Sequence, residues 1–120
     1  MANDEVHTVE YWWDGPREGV ATFEGRPHHY ACIFDDGEDD WSEMYRLTPI
    51  GEDIMKIARE AREIWLGHGD EARHRELTIL VEAAVRDNAN AAFDVAGDFS
   101  AFRGLRPHSP LPVRVVWSRT

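Results

Sequence analysis

Asp35, Asp36, Glu38, Asp39 and Asp40 place five carboxylates within six residues, closed by the indole of Trp41. Carboxylates at this density are hard-cation ligands, and calcium is the first chemistry to test. An EF-hand loop needs oxygen ligands at positions 1, 3 and 5, glycine at 6 and glutamate at 12. Counted from Asp35, Gly37 falls at position 3 and Arg46 at position 12, so the pattern fails. A divalent site of another kind stays open beside a plainer reading, a hydrated turn that keeps a sheet edge from pairing.

Nucleophilic chemistry has one candidate thiol, Cys32, near His28 and His29. On an extended strand His28 shares a face with Cys32 but stands roughly 13 Å away, and His29 points to the other side. Cys32 therefore reads as an inert, small apolar residue. The six histidines match no zinc spacing: His68 and His74 straddle a helix break, and neighbouring His28 and His29 cannot face one ion from a regular strand. Nor does a loop of hydrated, mutually repelling acids single out one carboxyl with a raised pKa for glycoside chemistry. No catalytic constellation, cofactor or metal is implied.

Recognition is the remaining chemistry. The chain carries five tryptophans and three tyrosines, and Tyr11, Trp12, Trp13 and Trp41 lie close in sequence to Asp14, Asp35, Asp36, Asp39 and Asp40. Large rings beside carboxylates suit an arginine- or lysine-rich surface, through cation–π contacts and charge-assisted hydrogen bonds. The competing expectation is that the rings fill the core and the acids only keep the chain in solution. The candidate binding residues are Trp12, Trp13, Asp14, Asp35, Asp36, Asp39, Asp40 and Trp41.

Charge points the same way. Residues 1–44 hold twelve acids against Arg17 and Arg26, a net of −10, and residues 103–120 reverse the sign to +4 within a total of −10. Such a molecule repels nucleic acid and anionic lipid, which need a basic surface. At 120 residues, 42% of them hydrophobic, the chain is expected to fold as one domain, residues 1–120. An acidic start, no apolar run long enough to cross a bilayer and a single cysteine are read as cytoplasmic.

The elements that must position these residues follow from periodicity and turn chemistry. Residues 6–13, 19–24 and 28–34 have strand character, separated by turn signals at Asp14-Gly15-Pro16 and Glu24-Gly25-Arg26-Pro27. The first strand is expected to put Val9, Tyr11 and Trp13 on one face, and residues 41–47 loosely fit a fourth strand. Thr48 as N-cap and Pro49 in the first turn predict a helix with an apolar stripe of Ile54, Ile57, Ala58, Ala61, Ile64 and Trp65. Its opposite face carries Arg59, Glu60, Arg62 and Glu63. After Gly67-His68-Gly69, Asp70 caps a second helix reaching about Asn88, with Leu77, Leu80, Val81, Ala84 and Val85 buried. Residues 91–99 and 113–118 return to strand.

This order predicts an α+β fold: an antiparallel sheet, made of a three- or four-stranded N-terminal meander plus two C-terminal strands, with one face covered by a two-helix hairpin. The leading functional expectation is a small acidic interaction protein, an immunity-type or regulatory inhibitor of a basic protein partner. The class-different alternative is a small-ligand-binding protein or enzyme with a pocket between sheet and helices, using His28, Tyr30 and nearby carboxylates.

Overall fold

The computed structural model of the protein describes the backbone of residues 2–119 and the side chains of residues 4–67 and 69–119. Four strands run in series: β1 (Ala2–Trp12), β2 (Pro16–Phe23), β3 (Arg26–Asp35) and β4 (Asp40–Pro49). Two helices follow, α1 (Glu52–Glu63) and α2 (Glu71–Asp87), and then β5 (Phe93–Asp98) and β6 (Val113–Ser118).

The α+β class and the helical hairpin agree with the sequence, but the sheet is not open. β5 pairs with β4, β6 pairs with β5, and β6 then pairs with β1 from Ala2 opposite Trp117 to Val6 opposite Val113, closing a six-stranded antiparallel barrel. Closure pairs every strand on both sides, so neither β1 nor β6 is left as an edge.

The turns are set by local chemistry. Glu24 and Gly25 connect β2 to β3 with φ of 50° and 78°, the left-handed pair that a two-residue hairpin requires. The acidic stretch is the β3–β4 hairpin, entered where Asp35 faces Asp40. Asp35 Oδ1 accepts from the backbone N–H groups of Gly37 and Glu38, at 2.9 and 3.3 Å, so the first acid of the run is engaged in shaping the turn.

The start of α1 departs from expectation. Thr48 is buried opposite His29 in β4, Pro49 ends that strand opposite His28, and the N-cap is Gly51. Cross-strand pairing and burial of Thr48 prevail over its capping preference, which contributes only about 1 kcal/mol. Asp70 does cap α2, its Oδ1 accepting from the Ala72 N–H at 2.7 Å.

Two hydrophobic cores result. Val6, Ala21, Phe23, Tyr30, Tyr45, Leu47, Val95, Val115 and Trp117 fill the barrel, with Phe102 packed among them. Outside the barrel, Val20 and Ile50 meet Ala58 of α1 and Val81 of α2. Three expectations for the helices fail at this second core. Arg62, assigned to the solvent face, is buried, whereas Trp65 and Leu80, assigned to the buried stripes, are 52% and 47% exposed. The hairpin lies on a convex barrel, so each helix buries a narrower stripe than a flat sheet would cover.

β1 does not keep period two. Its register against β2 shifts between Val6 and Thr8 and again between Val9 and Tyr11, each time leaving an extra residue on β1. Consequently Val9 and Trp12 pack toward the barrel core, while Tyr11 and Trp13, expected on the face of Val9, are exposed. At the first bulge, Thr8 Oγ1 accepts from the Val20 N–H at 2.9 Å, and the Tyr30 hydroxyl donates to the Thr8 carbonyl at 3.0 Å. Tyr30 reaches that carbonyl because its partner across β2 is Gly19, where any Cβ would collide with the Thr8 carbonyl and the Tyr30 hydroxyl.

Gly19→Ala should therefore cost about 2–3 kcal/mol of stability, as expected for overpacking with a displaced buried hydrogen bond. A urea titration would read this as a lowered midpoint with an unchanged slope; an unchanged midpoint would refute the close packing at Gly19.

Candidate functional site

Two regions outside the barrel core bring chemically capable side chains together. The first lies at the β3–β4 hairpin. Trp41 is its centre: Phe34 packs edge-on at 5.2 Å, Tyr11 lies at 6.2 Å, and the Arg17 guanidinium sits over the indole at 5.2 Å. Arg17 also donates to the carbonyls of Trp13 and Asp14, at 2.8 and 3.2 Å, linking the β1–β2 turn to the hairpin. Trp13 is 63% exposed, Tyr11 47% and Phe34 42%, and Asp35, Asp36, Glu38, Asp39 and Asp40 are all exposed.

Seven of the eight sequence-derived candidates thus fall on or beside one surface: Trp13, Asp14, Asp35, Asp36, Asp39, Asp40 and the half-buried Trp41. Trp12 does not join them. The bulge in β1 turns its ring inward against Phe102, at 6.4 Å. Sequence reasoning did not name Phe34 and Arg17 for this face. Phe34 is the last aromatic before the acids, and Arg17 is the only cation besides Arg26 in the first 44 residues, so both signals were present.

The second region lies between the barrel and the helical hairpin, where β1, α1 and α2 border a partly open cavity of about 240 Å³. Trp12, Ala58, Ala61, Trp65 and Val81 make its wall largely apolar, and Glu10, Arg62 and His74 supply charge or hydrogen-bonding groups. His28 and Tyr30 do not line it. Both rings belong to the barrel: His28 packs against Phe23 and Phe93, and Tyr30 is fully buried among Tyr45, Phe99 and Trp117.

Glu10 also borders a charged cluster. The buried His29 holds its Nε2 3.7 Å from Glu10 and 3.6 Å from Glu18. These three residues offer ligand atoms within 4.8 Å of one another and form the one metal-compatible group found among the described residues. An imidazole held between two carboxylates is, however, already stabilised as a cation. Burial pulls its pKa down, but the attraction of the two ion-paired carboxylates, Glu10 and Glu18, pulls harder, raising it from 6.5 to about 9.

Elsewhere, His7 accepts at Nδ1 from Arg59, at 3.1 Å, which leaves its Nε2–H to donate to Thr22 Oγ1 at 2.8 Å. Cys32 Sγ lies 3.3 Å from the Ser42 carbonyl and 3.7 Å from Arg17 Nη1, so its partners are not imidazoles. The side chain of His68 lies outside the described residues.

The His29 cluster makes folding depend on pH. Because the folded pKa exceeds the unfolded one, its contribution is complete below about pH 6.5 and is lost as pH rises through about 9. Allowing for screening at the partly exposed Glu18, the loss amounts to about 2–3 kcal/mol. Urea midpoints at successive pH values should fall across this window in the wild type and stay flatter in the Glu10→Gln/Glu18→Gln double variant; parallel curves would refute the cluster's role. No family model, curated protein or solved structure matches the chain.

Proposed function

We propose that this protein binds a basic, arginine- or lysine-rich segment of another protein through the face formed by the β3–β4 hairpin and the β1–β2 turn, as an immunity-type or regulatory inhibitor would. The observation that carries the reading is the exposure of Trp13, Tyr11 and Phe34 directly beside five solvent-facing carboxylates. Monomeric proteins place single apolar residues on their surfaces freely, but a group of large rings rimmed by one sign of charge suits recognition.

With a net of −10, and with the first 44 residues contributing that same figure, the face attracts cations over a distance and repels polyanions. Arg17 supports this reading, its guanidinium stacked on the Trp41 indole with its N–H groups directed to carbonyl oxygens. Trp13 and Phe34 leave ring surface available for a second cation. Such a function needs binding alone, which accords with His28 and Tyr30 being committed to the barrel core.

The test is a panel of arginine- and lysine-rich peptides with charge-neutral controls, titrated at low and physiological ionic strength. The wild type should bind basic members selectively, with affinity falling as salt rises. Replacing Asp35, Asp36, Asp39 and Asp40 together by Asn should lower affinity at least tenfold and flatten the salt dependence. Trp13→Ala should cost about two- to fivefold, the scale of an exposed cation–π contact. Equal binding by the Asn variant, or failure of every basic peptide, would remove the assignment.

A further inference from the structure

Three neighbouring strands of the barrel send one side chain each to a common point. His29 of β3 lies directly opposite Val20 of β2, the residue that packs against the helices, so its ring is on that side of the barrel wall. Glu18 stands two residues before Val20 in a regular stretch of β2 and therefore on the same side. Glu10 is the extra residue of the second β1 bulge, between Val9 opposite Gly19 and Tyr11 opposite Glu18, and bulges commonly re-aim a side chain in this way. The His29 side chain is only 9% exposed, whereas the two carboxylates, at 30% and 45%, stay open to solvent.

The spacing of the three groups is wrong for hydrogen bonds. His29 Nε2 stands 3.7 Å from Glu10 Oε1 and 3.6 Å from Glu18 Oε2, against ~2.7–2.9 Å for a charge-assisted N–H···O bond. It is close to right for a shared ion. Two ligand atoms that are each ~2.1 Å from one metal ion stand about 3.4 Å apart at the tetrahedral angle, so a contraction of a few tenths of an ångström brings both carboxylates into a coordination shell with the imidazole. Ligand atoms of the three residues already lie within 4.8 Å of one another. We propose that His29 Nε2, Glu10 Oε1 and Glu18 Oε2 form a binding site for a single transition-metal dication of the zinc type, with a fourth coordination position left to water.

Ligand type and charge narrow the class. Two carboxylates and a neutral imidazole carry two negative charges, which one dication balances. The buried imidazole favours zinc over magnesium and calcium, which prefer an all-oxygen shell. Ligation needs the neutral ring, so ion and proton compete for Nε2, and the loss of stability toward pH 9 belongs to the metal-free chain. Three protein ligands are the number found in zinc sites that keep an exchangeable position, and Glu10 also borders the cavity beneath the helical hairpin, which puts the ion at the rim of that space. None of the three ligands belongs to the acidic and aromatic residues assigned to a basic partner, so the two assignments stand or fall separately.

The full chain, stripped with a chelator, would be titrated with Zn²⁺ by calorimetry and followed by the imidazole NMR signals. One equivalent should bind saturably with a shift of the His29 signals, and an excess of Mg²⁺ should not displace it. Co²⁺ in place of Zn²⁺ should perturb His29, Glu10 and Glu18 most strongly. Glu18→Gln, an isosteric change at a partly exposed position, should lower Zn²⁺ affinity at least about tenfold, since loss even of a group supporting a metal ligand costs 10–100-fold. Replacing Asp35, Asp36, Asp39 and Asp40 together by Asn should leave Zn²⁺ affinity unchanged. No saturable binding of Zn²⁺ to the wild type, paramagnetic effects centred on the β3–β4 hairpin or on another histidine, or undiminished affinity in Glu18→Gln would overturn the proposal; the first two outcomes need no variant, so misfolding of one cannot obscure the result.

Discussion

The hydrogen bond from the Tyr30 hydroxyl to the Thr8 carbonyl is the constraint on which the rest of this structure turns. β1 must bend to bring its first half onto β6 while its second half stays on β2, and the extra residue near Thr8 supplies that bend at the expense of the regular ladder. A bulge strands backbone polar groups, which in a buried wall must find other partners. Here the Thr8 side chain accepts the Val20 N–H, the Tyr30 hydroxyl crosses to the Thr8 carbonyl, and Gly19 leaves the passage clear. Three residues from three strands thus make one irregularity compatible with a closed barrel.

The irregularity also allots side chains to their surroundings. After the bulges, Glu10 faces the helices, where it meets His29 and the cavity, whereas Trp12 turns toward the core and Tyr11 and Trp13 turn to solvent. A strand of strict period two could not turn both Val9 and Trp12 inward. The two chemically capable regions are therefore consequences of the same bend, although they lie on different parts of the surface.

Much of this was legible in the residues. The turn glycines, the alternation in β2, β3 and β6, and the Asp70 cap are local signals, and local signals placed these elements correctly. The acidic run was recognisable as a connection because carboxylates at that density cannot be buried. Barrel closure was not legible, since the pairing of β6 with β1 is a contact between the two ends of the chain and leaves no mark on the periodicity of either strand. Nor were the bulges, which depend on how β1 is bent by its neighbours. The burial of Arg62 is hidden for a simpler reason: it follows Ala58 by four residues and precedes Trp65 by three, on the cavity side of α1, but its charge suggests solvent. The carbonyls of Pro107 and Ser109 that bury it come from a segment whose path no helical pattern reveals.

The β1–β6 ladder has a consequence for how the chain is made. Ala2 pairs with Trp117, so on the ribosome the first strand waits for β6 to emerge before it finds its second partner. At ordinary elongation rates the wait is on the order of ten seconds, during which β2, β3, β4 and the helical hairpin are available to fold around one another while a side of β1 is left unpaired. An exposed strand edge of that lifetime invites pairing with another nascent chain. The acids concentrated in the first 44 residues repel such a neighbour, so the charge that marks one face of the finished protein also guards the growing one against its own copies.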